Sequence, residues 1–489
     1  MERPSFLTRM LDVPADRPAL WWEPQPGVVA AAWTHGDLRT RGEHVAGWLR
    51  DQGVRRGDRV VIHLDNGPAL VAAHLGCMAL GAVRVPVNRH YRAAEVAPIR
   101  EDAEPVLVFS EEPALWPGLP VFPAPGHGPR LADWPTPPGD VTGLLFTSGT
   151  TGRAKGVPQT FGMWESNLDA VATRWELGPD DRLHLVLPLF HTHGLVLGLH
   201  HSLLRGSSAR LGARFEPVAP APDVTHVYGV PTFWHRWEPV IRADPAPFRR
   251  LRLVVSGSDG LDPALSDRLA ALLGQRPLER YGMTETVMLA SNPARGERRA
   301  GSVGTALDGV ELRVVDDEVQ VRGPNVFPGY WRPGPEAPVG ALPLVRDAAA
   351  GFTADGFFRT GDAGAWDPAP GGEAPYLRLV GRKKDLVIVG GVNVSPAEVE
   401  RVLAAVPGVA DVACCGLPDE DLNEVVAAAV VPDGTVPTAL LAPALDAAAH
   451  ALSGLKRPRA WAFVDALPRN ALGKVQSARL RAEVEFRRG

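Results

Sequence analysis

Cysteine is scarce in this 489-residue chain: there are three, Cys77, Cys414 and Cys415, and the last two are neighbours. That supply excludes a disulfide framework and offers no metal-ligand spacing, which points to a reducing cytoplasm. Long apolar runs are missing as well. No stretch reaches the ~18 residues that a membrane span needs, and the opening MERPSFLTRM is charged rather than signal-like. Nor is there a basic excess: the formal net charge is -5, which gives no electrostatic footprint for nucleic acid or an anionic membrane. Repeats in the solenoid range and extended low-complexity tracts are also absent. What the chain does have is length, enough for about three domain-sized units at ~150 residues each and for a deep pocket. The natural class is small-molecule enzymology.

The first elements read as α/β. Leu38, Val45, Trp48 and Leu49 fall at helical spacing over Asp37 to Gln52, and Gly53 stops that helix. Arg59 to Leu64 reads as a strand, Pro68 to Leu80 as a helix with proline at its first position, and Ala82 to Pro86 as another strand. Glu111 to Asp140 is crowded with Pro and Gly and reads as a surface connection.

That connection leads to the apolar strand Val141 to Phe146 and then to TSGTTGRAKGV, Thr147 to Val157. Gly149, Gly152 and Gly156 allow close backbone approach, while the hydroxyls of Thr147, Ser148, Thr150 and Thr151 and the amine of Lys155 supply donors for phosphate oxygens. The alternative is a flexible surface loop. It is not a Walker P-loop, because Lys155 follows Ala154 and precedes Gly156.

Further on, Leu183 to Leu187 is apolar and ends in PLFHTHGL, Pro188 to Leu195. His191 and His193, two residues apart, would share a face on a strand, but no third ligand has suitable spacing, which argues against a metal site. HVYGVPT (His226 to Thr232) and LRLVVSGSDGL (Leu251 to Leu261) each read as strand into turn. ERYGMTET, Glu279 to Thr286, follows; by itself it is also compatible with a helix start capped by Thr284. From Ala300 to Val380 short alternating segments such as Glu311 to Val315 and Glu318 to Arg322 suggest a small β-rich subdomain, which ends in FFRTGDAG with Asp362. In GRKKDLVIVGGVNVSPAEVE, Gly381 to Glu400, Ser395, Pro396 and Glu398 form a capping box that starts a helix. Strands Val409 to Gly416 and Glu424 to Val431, helices, and PRNALGKVQ with Lys474 complete the chain.

These separated motifs, in this order, resemble the acyl-adenylate-forming superfamily, which includes acyl-CoA synthetases, firefly luciferases and peptide-synthetase adenylation domains. The resemblance spans essentially the whole chain and implies an α/β fold. Residues 1–383 would form a large N-terminal domain of two Rossmann-like αβ subdomains plus a small β-barrel-like subdomain, and residues 384–489 a small mobile α+β domain turning about Lys384. It implies ATP and coenzyme A as co-substrates and Mg²⁺ as cofactor. The loop Thr147 to Lys155, with Ser148, Gly149, Thr150, Thr151 and Gly152, would hold phosphates. Ser256, Gly257 and Ser258 would border adenine, with the Tyr281 ring against it, and Gly282 and Met283 would belong to the same nucleotide site. Thr284 would meet a phosphate, Glu285 the metal, Asp362 both ribose hydroxyls, and Arg382 the ribose. His191 would lie near the carboxylate being activated, Lys474 would drive adenylation, and the Gly390-Gly391 segment would enter for the second half-reaction.

Within the superfamily, LPLFHTHGLVLG, GVPTFWHR, VVSGSDGL and ERYGMTETVM look closest to malonyl-CoA synthetases. This implies a short dicarboxylic acid such as malonate or methylmalonate. A buried second carboxylate needs a cation, for which Arg280 and Arg236 are candidates, and His193 is a further candidate substrate residue. The segment Gly390 to Pro396 departs from the malonyl enzymes and leaves alternatives: a medium-chain or aryl acyl-CoA ligase, an enzyme loading a carrier protein, or an inactive adenylate-binding protein.

Overall fold

The computed structural model describes residues 9–10, 12–132, 134, 137–147, 154–332, 344–346, 349–368, 375–390, 392–419, 421–469 and 475–488. Two compact units result, Met1–Leu312 with Val321–Phe358, and Arg313–Gln320 with Arg359–Gly489. These units divide at Phe358/Arg359 and exchange residues 313–320, so they differ from the 383/384 division expected from the sequence.

The first unit rests on two sheets. One has nine strands, with a parallel run Leu278–Tyr281, Leu253–Ser256, His226–Gly229, Arg182–Leu185, Ser208–Gly212 and Pro18–Glu23. The other has eight, with Val141–Thr147, Val83–Pro86, Arg59–His63, Leu107–Ser110 and Val121–Phe122 parallel. Such strands are covered on both faces, and Val60, Val61, Val85, Val108, Val254 and Val255 are accordingly buried. The helix Pro68–Leu80 has Pro68 at its first position, as the sequence predicts, and the structure ends it at left-handed Gly81.

Three local readings change. The strand before the histidines ends at Leu185; His191 sits in a turn and His193 opens a π-helical segment, His193–His200. Strand periodicity therefore does not set where these two histidines face. Lys155, Gly156 and Val157 belong to a strand, Lys155–Thr160, because Val157 is fully buried opposite Leu145. The β-rich stretch after Ala300 does not stay in one sheet. Thr305–Ala306 joins the nine-stranded sheet, Tyr330–Trp331 and Leu344–Val345 join the eight-stranded one, and Glu311–Val315, Glu318–Arg322, Phe358–Asp367 and Tyr376–Arg382 form a sheet of four. Two-residue strands pair wherever an open edge meets them.

The second unit also carries a six-stranded sheet in which Val409–Asp419 pairs antiparallel with Asn423–Pro432. Helices Pro396–Ala404 and Thr438–Ala449 contribute Val399, Leu403, Leu441 and Leu445 to the core of this unit. The expected capping box is not formed. Ser395 Oγ donates to the Val380 carbonyl at 2.6 Å, and Glu398 pairs instead with Lys456 at 2.7 Å. The rotamer that lets the hydroxyl donate to the strand carbonyl does not also bring its oxygen to the first N–H groups of the helix. Among the described residues no helix is long and apolar enough to cross a membrane.

Candidate functional site

The parallel strands His226–Gly229, Leu253–Ser256 and Leu278–Tyr281 end side by side, and the segments that leave them carry the motifs singled out above. Carboxyl ends of such strands are where open α/β sheets form ligand crevices. After Tyr281 the chain does not start a helix. It makes a turn at Thr284–Thr286 and comes back antiparallel, with Tyr281 opposite Ala290.

One buried side chain holds that turn. Gln159 Nε2 donates to the Thr284 carbonyl at 2.8 Å and to Thr192 Oγ1 at 3.1 Å, while its Oε1 accepts from Trp164 Nε1 at 3.1 Å. The amide has both donors and an acceptor satisfied, so it fixes three chain segments together: the strand Lys155–Thr160, the Thr284 turn and the histidine turn. Gln159 was not among the residues picked from sequence, and its place on an apolar strand gives no signal beyond polarity.

Glu285 is buried; its Oε1 accepts from the Tyr330 hydroxyl at 2.9 Å and its carbonyl from the Phe327 N–H at 2.8 Å. Lys155 Nζ lies 4.8 Å from the centre of the same Tyr330 ring. Thr147 and Lys155 are directly opposite each other in the antiparallel pair on either side of residues 148–153. Ser148, Gly149, Thr150, Thr151 and Gly152 lie outside the described residues, as do Gly391 and Lys474.

The structure also brings Arg280, His193 and Ser256–Ser258 together. Arg280 is 6% exposed, and its Nε and Nη2 have no hydrogen-bond partner among the described residues. Desolvation pushes its guanidinium down to about 10, so it stays charged at neutral pH. A Cβ on Gly257 would lie 2.3 Å from Arg280 Nε, so only glycine lets the guanidinium rest on this backbone. Ser258 has φ of +70°, a conformation rarely held by non-glycine residues and common at ligand clamps. Its hydroxyl is 3.1 Å from His193 Nδ1, and His193 Nε2 is buried without a described partner.

Burial and then the Arg280 charge hold His193 well below the usual histidine range, and burial brings His191 to about 4. Both rings are neutral at pH 7. Each can orient an oxygen by a hydrogen bond but cannot supply a positive charge. Arg236 is different. It is exposed on the helix Pro231–Ala243, with its guanidinium 4.9 Å from the Phe215 ring centre, and the described contacts do not bring it to Arg280.

Glu279, adjacent to Arg280, is 4% exposed, and burial lifts its carboxyl to about 7 although the Gly301 N–H donates to it at 3.1 Å. A folded-state value above the ordinary one means that stability is lost as pH rises from about 4.5 to 7, by about 3 kcal/mol in all. Glu279→Gln is expected to remove this loss. Urea unfolding at pH 5 and pH 8 checks it, with the variant gaining on wild type only at the higher pH.

In the second unit, Asp362 and Arg382 face each other across antiparallel strands, and Arg382 Nε is 2.8 Å from Asp362 Oδ1. The Asp362 N–H donates to Thr360 Oγ1 at 3.1 Å. The two residues read as ribose-binding thus form one ion pair. Lys384 lies in the short turn Lys383–Asp385; its side chain is outside the described set.

A family model described as AMP-binding enzyme matches residues 8–331, and one described as AMP-binding enzyme C-terminal domain matches residues 398–474. The chain is 31% identical to a malonate–CoA ligase of Arabidopsis thaliana, over 88% of this chain and 79% of that protein. It is 32% identical to a feruloyl-CoA synthase of an Amycolatopsis species, with 94% of each covered. Among solved structures, ATP-bound MatB from Rhodopseudomonas palustris matches with a TM-score of 0.85 at 33% identity, covering 98% of each chain.

Proposed function

Since the chain belongs to the AMP-binding enzyme family and is an AMP-forming acyl-CoA ligase, we propose that its acid is a short dicarboxylic acid, malonate or methylmalonate, whose second carboxylate is taken by Arg280. The observation that carries this reading is a buried guanidinium, two of whose nitrogens have no partner among the described residues. An unpaired buried charge costs several kcal/mol by rough reckoning, so it is retained where a ligand neutralises it. The planar fork suits a carboxylate, with neutral His193 beside it to hydrogen-bond an oxygen.

A carboxylate is a poor electrophile towards a thiol, and joining it to AMP cures that. The carboxylate oxygen attacks the α-phosphorus of ATP, the bond to the bridging oxygen breaks, and pyrophosphate leaves with the electron pair. Little covalent work falls to the protein; it positions groups and neutralises charge. In our reading the loop from Thr147 to Lys155 grips the leaving pyrophosphate, Tyr281 lies against adenine, and Asp362 with Arg382 holds the ribose. Thr284 hydrogen-bonds a phosphate oxygen, and Lys474 bridges the carboxylate and the α-phosphate. Glu285 would hold Mg²⁺: a buried carboxylate steadied by Tyr330 is the hard oxygen donor that this ion combines with phosphate oxygens and water. When bound, the ion neutralises triphosphate charge.

In the second half-reaction the CoA thiol, losing its proton, attacks the acyl carbonyl and AMP departs. We propose that residues 384–489 turn about Lys384 between the two halves, withdrawing Lys474 and bringing the Gly390-Gly391 segment to the site. The proposed compartment is the cytoplasm, to which the three unpaired cysteines point.

Malonate, methylmalonate, octanoate and benzoate, each offered with ATP and either CoA or a phosphopantetheine-bearing carrier protein, test this assignment. Malonate or methylmalonate with CoA is expected to give the fastest AMP release. Octanoate or benzoate working where malonate fails would remove the Arg280 argument, and benzoate in particular would align the enzyme with its feruloyl-activating relative.

A further inference from the structure

Tyr330 lies outside every motif picked from the sequence, yet it touches two of the residues assigned to the triphosphate. Its hydroxyl donates to Glu285 Oε1 at 2.9 Å and its ring carries the Lys155 ammonium at 4.8 Å. The segment around it is built to keep it there. Asn325 Nδ2 donates to the carbonyls of Thr286 and Met288 at 2.9 and 3.1 Å, and the Phe327 N–H donates to the Glu285 carbonyl at 2.8 Å. On the other side Trp331 pairs with Gly156, next to Lys155, and Trp331 Nε1 donates to the Asp102 carbonyl at 2.9 Å. A Cβ on Gly156 would lie 2.9 Å from the Trp331 Cβ, so this strand pairing depends on glycine at that position. Asn325 to Trp331 thus bridges the Glu285 turn and the strand that bears Lys155.

From this geometry we propose that Tyr330 is a positioning residue for the adenylation step, presetting the Glu285 carboxylate through its hydroxyl and the Lys155 ammonium through its ring face. This rests on the reading of Glu285 as the Mg²⁺ ligand and Lys155 as a phosphate ligand. Tyrosine suits both tasks, because a phenol donates one strong hydrogen bond to a carboxylate while its π-face attracts a cation. Each partner is then oriented before ATP arrives.

The two functions separate by substitution. Tyr330→Phe keeps the ring and removes the hydroxyl; Tyr330→Leu removes both. Isothermal titration of the full-length protein with ATP, without acid substrate and across MgCl₂ concentrations, reads them apart. For Tyr330→Phe we expect the MgCl₂ concentration that half-maximally enhances ATP binding to rise about tenfold, with metal-free ATP affinity held. Tyr330→Leu is expected to show the same shift and to weaken metal-free ATP binding by about threefold or more. The KM for the acid should hold in both. Wild-type metal dependence in Tyr330→Phe, or an equal loss of ATP and acid affinity in both variants, overturns the proposal. Glu285→Gln separates the levels. If it abolishes the Mg²⁺ enhancement while Tyr330→Phe does nothing, only Tyr330 is misassigned; if Glu285→Gln leaves the enhancement intact, the metal assignment itself fails.

Discussion

Exchanging Arg280 for Leu is expected to lower kcat/KM for malonate by about thirtyfold to several-thousandfold, because removing one partner of a buried charge pair costs about 2–5 kcal/mol. Most of the loss should fall on KM, since the second carboxylate is bound equally in the ground and transition states. The same variant should melt at a higher temperature than wild type without substrate. The native guanidinium has two buried nitrogens without a described partner, and leucine abolishes that desolvation cost. Opposite signs for stability and activity mark a site residue, whereas a structural arginine would lose both together. Butyrate, which lacks the second charge, should be turned over better by the variant than by wild type. Steady-state kinetics with both acids and a thermal melt check the three effects in one set of proteins.

Lys474→Ala is expected to lose adenylate formation by about a hundredfold or more, the scale on which removal of one preorganised donor acts. Supplied malonyl-adenylate should still be converted to thioester at close to the wild-type rate, because in the proposed cycle the lysine is withdrawn before the thiol attacks. Pyrophosphate release reports the first half, and single-turnover thioester formation from synthetic adenylate reports the second. Equal loss in both would remove Lys474 from its assigned role.

Much of this site could be read along the chain because its parts are local. The end of a buried strand at Thr147, the helix Pro68–Leu80 with its proline start and glycine stop, and the ERYGMTET segment each carry their signal within a dozen residues. What joins the parts is not local. Gln159 ties Thr192 to Thr284, and Tyr330 ties Lys155 to Glu285; both act between residues far apart in sequence, and neither side chain stands out among its neighbours. The histidine turn is not legible in the sequence because an apolar run ending in PLFHTHG continues a strand pattern, while the chain turns to enter the helical segment His193–His200. Ser395 shows the same limit: its spacing to Glu398 is that of a capping box, but a carbonyl of a neighbouring strand competes successfully for the hydroxyl. Arg280 and Arg236 were equal candidates in sequence, and burial distinguishes them, one enclosed and one lying exposed over Phe215.

The central claim is that a buried cation selects a second negative charge on the acid. Its most direct test is the ratio of kcat/KM for malonate to that for butyrate in the wild-type enzyme, with ATP and CoA saturating. The account predicts a ratio above about a hundred, the discrimination expected when a site built for a charged partner receives a neutral analogue. A ratio near one, or in favour of butyrate, would contradict it.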